Sequence, residues 1–583
     1  MSKFYSAERN TQMLIALLKA HGIKRIIASP GTTNVNFVGS IEDDPFFDIY
    51  SCVDERSAAY MACGLAAETG EPVVITCTGA TASRNYLSAL TEAYYRQLPI
   101  LAVTGMQPFG RIGSYAPQVI DRSQQPKDTV KMSVHIPAIL STPEEEWAAN
   151  VQINKAILEL THNGGGPVHI DLQTNFTPEH DSNPKTEERV IKRVSYNGDY
   201  PDLPKGKVGV FVGSHKKWTD EETKAVDEFC AKYDAVVLCD NTSNYWGKYR
   251  VQAQLITYQS CTKYEYNKFD VIIHIGNVSG TGINFSTKEV WRVNPDGEVR
   301  DTFKKLTYVF EMEEITFFRN YFEEDEIKNE NLLNTWKSEY QRLYSKIPEL
   351  PFSNIWIAWQ TINKIPKKSI IHFGILNSLM SWNYFMPSDG TLGYSNTGGF
   401  GIDGGVSTLI GASFNNPEQP IFGVFGDLAF FYDLNSLGNR NISKNLRIML
   451  INNGCGVQFH LSGNYSQRVG ISEEDVHRFI AAGGHFGNQS PDLVKHYAED
   501  LGFEYICAYD KEDYLSKEDK FVSPIIGDKP VLFEVFIDYH NDPKAEDMIR
   551  SVDATVSRGT RKLAKDILGE KNVQKLKKLI NHD

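Results

Sequence analysis

Three segments near the N-terminus share one pattern: KRIIASPG (24–31), PVVITCTG (72–79) and PILAVTG (99–105). Each is apolar at consecutive rather than alternate positions. A strand built that way has two faces to bury, so it belongs inside a parallel sheet covered by helices on both sides. Helical patterns stand between the strands: AERNTQMLIALLKAHG (7–22), DERSAAYMACGLAAETG (54–70) and ATASRNYLSALTEAYYRQL (80–98), with a further strand at FDIYSCV (47–53). This alternation predicts an α/β fold with open, mainly parallel sheets.

The pattern recurs twice more. A polar, proline-bearing stretch at 181–200 reads as a linker, and beyond it KVGVFVGS, DAVVLCD, FDVIIHIG and KEVWRVN are strands with DEETKAVDEFCAKY as a helix. A third region opens at SIIHFG and includes VSTLIGAS, PIFGVFGD, LRIMLINN and KPVLFEVFID. With 583 residues the chain is too long for one core. Three successive domains are expected, at 1–180, 200–340 and 350–540, followed by a charged helical tail at 541–583.

Charge narrows the function. Sixty Lys and Arg against 73 Asp and Glu leave −13, which disfavours nucleic acid or an anionic membrane surface as a partner. No apolar run reaches the ~20 residues of a membrane span, and the N-terminal MSKFYSAERNTQ lacks an apolar signal core. The eight cysteines form no CxxC pair and read as reduced core residues of a cytoplasmic protein.

The chemistry concentrates in residues 426–456, GDLAFFYDLNSLGNRNISKNLRIMLINNGCG. Strand PIFGVFGD delivers Gly426 and Asp427 at its C-terminal end, and LRIMLINN delivers Asn452 and Asn453. Open α/β sheets bind ligands outside the carboxyl ends of their strands. If these two strands are neighbours, Asp427 and Asn453 meet at one edge, and DLNSLGNR forms the crossover helix. One carboxylate and one amide oxygen suit Mg2+, which commonly shares its site with phosphate. Gly454 and Gly456 let the chain turn, so that the Cys455 carbonyl can join them.

This span resembles the signature of the thiamin diphosphate-dependent enzymes (the pyruvate decarboxylase and acetohydroxyacid synthase superfamily), which begins with GD and ends with NN. The resemblance implies Mg2+ held by Asp427, Asn453 and the carbonyl of Cys455. It further implies a pyrimidine-binding domain, a central domain and a diphosphate-binding domain, in that order. The usual GDG is here Gly-Asp-Leu, with Leu428, and that variant is similar to the SEPHCHC synthase branch of the family, from menaquinone biosynthesis. DERSAA places Glu55 between a strand and a helix. Helix capping by Asp54 or Ser57 would explain an acid there without any chemistry. The resemblance instead makes Glu55 the catalytic carboxyl that bonds the aminopyrimidine ring and promotes loss of the thiazolium C2 proton. In the family this domain faces the diphosphate domain of another subunit, so a homodimer or homotetramer with its site between subunits is implied. SNTGGFGIDGG supplies Phe400 and Ile402 under the folded cofactor, GILNSLM supplies Asn377 and Ser378 on the diphosphate side, and APQVID supplies Gln118 as a catalytic glutamine. His460, just past the metal loop, is a candidate acid or base, or else a packed histidine.

The pattern also departs from that branch, whose substrates, 2-oxoglutarate and isochorismate, are anionic. Its SPGSR is SPGTT here, with Thr33 at the arginine position, and its SNRGASGIDG is SNTGGFGIDG, with Thr397. Trp382 stands where a further arginine would, and Thr281 where a lysine would. A desolvated carboxylate without its cation costs several kcal/mol, so the substitutions imply a less anionic or differently shaped substrate pair. Arg84 and Arg122 remain as candidate carboxylate partners. The resulting expectation is a carboligase that decarboxylates a 2-oxo acid donor and transfers the acyl unit to a carbonyl or enone acceptor. A non-ligating 2-oxo acid decarboxylase, and a silent binding or assembly protein on the same fold, are the alternatives.

Overall fold

The computed structural model describes residues 4–260, 264–280, 282–322, 330–485 and 490–553. Cys261, Thr281 and residues 554–583 of the expected helical tail lie outside the described residues. The chain packs as two compact units, one made of residues 1–200 with 290–312 and the other of 201–289 with 313–583.

The first unit holds a six-stranded sheet: β1 (Arg25–Ala28), β2 (Asp48–Ser51), β3 (Val73–Thr78), β4 (Ile100–Met106), β5 (Met132–Ile136) and β6 (Val168–Gln173). The order is β2-β1-β3-β4-β6-β5, and every pairing is parallel. The consecutive apolar residues bury both faces as the sequence requires. Ile26, Val74, Leu101 and Ile170 join one core with the helices Arg9–Ala20 and Pro143–Glu159. Ile27, Ile75 and Ala102 join another, against the helices Glu55–Thr69 and Leu87–Tyr95.

Further strands follow in each unit, all in parallel pairings. The first unit holds β7 (Lys192–Ser195), β13 (Leu306–Glu311) and, of β12 (Ser286–Val293), the residues from Val290 on, in the order β12-β13-β7. Within the second are β8 (Val208–Val212), β9 (Val236–Cys239), β10 (Arg250–Gln252) and β11 (Lys268–Ile275), in the order β10-β9-β8-β11.

The second unit also carries the last sheet: β14 (Ile370–Phe373), β15 (Leu392–Tyr394), β16 (Ile421–Gly426), β17 (Leu446–Asn452), β18 (Glu504–Ala508) and β19 (Val531–Phe536). Its order, β15-β14-β16-β17-β19-β18, repeats the order of the first sheet strand for strand, again wholly parallel.

Local readings needed correction. The segment 80–98 is two helices, Thr81–Asn85 and Leu87–Tyr95, not one. The crossover from β16 to β17 is not a helix over DLNSLGNR. A helix spans Asp427–Tyr432 and a 3-10 turn spans Leu434–Gly438. Asp433, at φ −113° and ψ 15°, separates the two, and its carboxylate accepts from the N–H and hydroxyl of Ser407. No helix among the described residues is long and apolar enough to cross a membrane.

Candidate active site

Because the last sheet is parallel, the carboxyl ends of its strands share one edge, and β14, β15, β16 and β17 lead there into predicted site segments. After β14, Leu376 takes φ +66° and leads into the helix Asn377–Trp382. A left-handed conformation is strained for a leucine, and such strain gathers at functional sites. After β15 the chain passes through Thr397 and Phe400, the latter at φ +56°. After β16 comes Asp427, and after β17 come Asn453 and Gly454, at φ +77°. The expected adjacency holds: β16 pairs with β17, with Gly426 opposite Ile451.

Asp427 is 4% exposed. Its carboxylate accepts from the N–H of Leu428 at 2.7 Å and from the N–H of Gly454 at 2.5 Å. Burial pushes its pKa up to about 7 despite those bonds. No basic side chain pairs with it among the described residues. A buried carboxyl with backbone donors but no cation fits a divalent ion, as does the all-oxygen set of Asp427, Asn453 and the Cys455 carbonyl.

Asn453 is held from both ends. Its Nδ2 donates to Asp542 at 3.4 Å, and its Oδ1 accepts from the Cys455 N–H at 3.3 Å. Asp542, 1% exposed, also accepts from the Asn377 Nδ2 at 3.3 Å and from the Asn354 N–H at 2.7 Å. One carboxylate thus orients an amide on each of two site segments. Asp542 escaped the sequence reading; its signal was an acid shortly after a strand end on the same sheet edge.

The remaining residues sort by environment. Ser378 is buried and Ile402 half-buried, while Phe400 is exposed. A Cβ at Gly398, Gly399 or Gly426 would meet no atom within 4 Å, so this edge leaves room for a ligand. Trp382 is fully buried and donates its indole N–H to Asn354 at 3.2 Å. Thr397 is buried as well. His460 is 7% exposed, with its ring 4.9 Å from that of Tyr539 and 5.6 Å from that of His477. Burial, and His477 after it, lower its pKa.

In the first unit, Asp54 caps the helix Glu55–Thr69 by accepting from the Ser57 N–H at 2.9 Å. Capping therefore falls to Asp54, and the half-buried Glu55 is not used for it. Gln118 is exposed, at φ +62°. Thr33 is buried and donates its hydroxyl to the Gly105 carbonyl at 2.7 Å. Arg84 is exposed and donates to the Asp121 carbonyl at 2.7 Å. Arg122 is buried in an ion pair with Asp171.

Residues 9–125 match the family described as thiamine pyrophosphate enzyme, N-terminal TPP binding domain. A 2-succinyl-5-enolpyruvyl-6-hydroxy-3-cyclohexene-1-carboxylate synthase of Bacteroides thetaiotaomicron is 31% identical over 93% of this chain and 98% of its own. Its namesake from Bacteroides fragilis is 30% identical over 93% and 98%. That of Flavobacterium johnsoniae is 27% identical over 90% and 95%.

Proposed function

The chain belongs to the thiamin diphosphate-dependent enzymes, in the family of the 2-succinyl-5-enolpyruvyl-6-hydroxy-3-cyclohexene-1-carboxylate synthases, and from that membership we propose that it is an Mg2+-dependent carboligase. It decarboxylates a 2-oxo acid and transfers the acyl unit to a carbonyl or enone acceptor. The observation that carries this reading is the shared strand edge of Asp427 and Asn453, with Asp542 tying Asn453 to Asn377.

Asp427, Asn453 and the Cys455 carbonyl would hold Mg2+, and Asn377, Ser378, Gly426 and Leu428 would face the diphosphate. Phe400 and Ile402 would support the ring end. When bound, thiamin diphosphate supplies the electron sink that lets a 2-oxo acid lose CO2 and its acyl carbon become nucleophilic. Glu55, from a second copy, would share a proton with the aminopyrimidine ring nitrogen, and Gln118 would line the same side. An apolar surface around Glu55 supports that pairing: Val53 is 78% exposed, Tyr60 45% and Met61 49%.

The substrate side is poor in free cations. By the resemblance, Thr33, Trp382 and Thr397 would stand where that branch carries arginine, with Trp382 itself buried against Asn354, and Arg122 is already paired with Asp171. This supports a substrate pair with fewer carboxylates, for which Arg84 is the available guanidinium. The test is CO2 release from a panel of 2-oxo acids, with product analysis in the presence and absence of aldehyde, ketone and enone acceptors. Acceptor-dependent products support ligation. Free aldehyde whatever the acceptor would make the protein a simple decarboxylase, and no Mg2+-dependent cofactor binding would remove the reading altogether.

A further inference from the structure

Just past Asn453, three side chains of a different chemistry converge. One ligand atom from each of Cys455, His460 and His477 lies within 4.8 Å of the other two. Cys455 follows the left-handed Gly454, His460 ends the 3-10 turn Val457–His460, and His477 sits in the π-helical turn Val476–Ile480. Single π-turns concentrate at functional sites.

Backbone bonds hold the three positions together. Gly456 N–H donates to the Ala481 carbonyl at 2.6 Å, Ala481 N–H to the Val476 carbonyl at 2.7 Å, and Gly483 N–H to the His477 carbonyl at 2.8 Å. Gly483 packs so closely that a Cβ there would stand 2.2 Å from the His477 Nε2. Tyr539 packs on both imidazoles, with ring centroids 4.9 Å from His460 and 4.6 Å from His477.

Cys455 is 2% exposed and His460 7%. Two ring nitrogens, Nε2 of His460 and Nδ1 of His477, are buried with no hydrogen-bond partner. Buried polar atoms are rarely left so, and here two lie in one cluster beside a thiol. One thiolate and two imidazoles suit Zn2+, whereas the oxygen set of Asp427 and Asn453 suits Mg2+.

We propose that Cys455, His460 and His477 bind one Zn2+ ion, with three protein ligands and a fourth position open to water or an exogenous ligand. The site stands on these residues alone and does not depend on the carboligase reading. Where that reading also holds, Cys455 gives its side chain to zinc and its carbonyl to Mg2+. Zinc occupancy then shifts the Mg2+ dependence of cofactor binding.

The test uses the full-length protein, stripped with a chelator and dialysed against Zn2+ with Mg2+ and thiamin diphosphate present. One equivalent of zinc per chain is expected, together with a thiolate-to-metal charge-transfer band when Co2+ replaces it. His477→Gln is expected to weaken zinc binding by at least roughly 10–100-fold, the loss that even an outer-shell partner causes. Cys455→Ser is expected to abolish the charge-transfer band. Circular dichroism and the unfolding midpoint of the chelated variants verify that both remain folded. Unchanged zinc stoichiometry and affinity in both folded variants, or a cobalt spectrum without a thiolate band, would overturn the proposal. Zinc binding that persists while thiamin diphosphate fails to bind would instead count against the carboligase reading.

Discussion

Replacing Asp542 by Asn alters no volume and exchanges one acceptor oxygen for a donor amide. The backbone N–H of Asn354, which cannot turn, keeps the remaining oxygen at its 2.7 Å bond. The new NH2 then faces the Nδ2 groups of Asn377 and Asn453, which lay 3.3 and 3.4 Å from the lost oxygen. Donor now meets donor, and the relief is for both amides to rotate. For Asn453 that rotation swings NH2 into the position of the oxygen proposed to ligate Mg2+. Outer-shell changes of this kind lower metal affinity by ~10–100-fold, or about 1.4–2.7 kcal/mol. The rotated amides remake their bonds to residue 542, but the Cys455 N–H loses its bond to Asn453, so the metal-free protein loses ~1–3 kcal/mol of stability. The assay is an Mg2+ titration at fixed thiamin diphosphate, followed by calorimetry, alongside thermal unfolding in chelator. An Mg2+ midpoint within about twofold of wild type, under 0.5 kcal/mol, would refute the orienting role of Asp542.

Three further outcomes are expected. Glu55→Gln should retain Mg2+ and cofactor while slowing C2 proton exchange, read by NMR, by ~10²–10⁴-fold; wild-type exchange in the variant contradicts the assignment. His169 is wedged between the hydroxyls of Thr104 at 2.7 Å and Ser133 at 2.8 Å, and burial lowers its pKa from 6.5 to about 4. The unfolded chain takes up that proton near pH 6.5 and the folded one only near 4. The contribution is therefore full above 6.5 and falls by up to about 3 kcal/mol as pH drops through that window. Urea midpoints at several pH values should show a flatter acid limb for His169→Gln, and coincident limbs would dismiss the effect. Arg122→Met strands the buried Asp171 carboxylate and should cost ~3–5 kcal/mol in guanidinium unfolding, with Asp171→Leu in the same chain restoring part of it.

The α/β class was legible because runs such as VVITCT and ILAVTG are mainly apolar at consecutive positions, and only a sheet covered on both faces buries them. The meeting of Asp427 and Asn453 was legible too, since each ends an apolar strand and β16 and β17 are neighbours. What local pattern could not carry was long-range pairing. Asp542 lies 89 residues beyond Asn453, and Asp171 lies 49 beyond Arg122, so no spacing announced either contact. Strand β5 is missing from the sequence reading because MSVHI mixes polar and apolar positions at partly exposed sites. Trp382 reads alike as a pocket wall or as core, and only packing reveals that it is fully buried.

The first compact unit is not contiguous in the chain: residues 290–312 complete it, and β13 from that segment pairs with β7 at 192–195. A ribosome that has just emitted residue 200 therefore holds an unfinished body. At ~5–20 residues per second the missing piece follows after roughly 6–22 s. During that interval β7 offers an unpaired strand edge, the kind that invites aggregation or chaperone capture. Protease excision at the 200 boundary would likewise release a fragment that keeps the six-stranded sheet but leaves β7 without its partner β13.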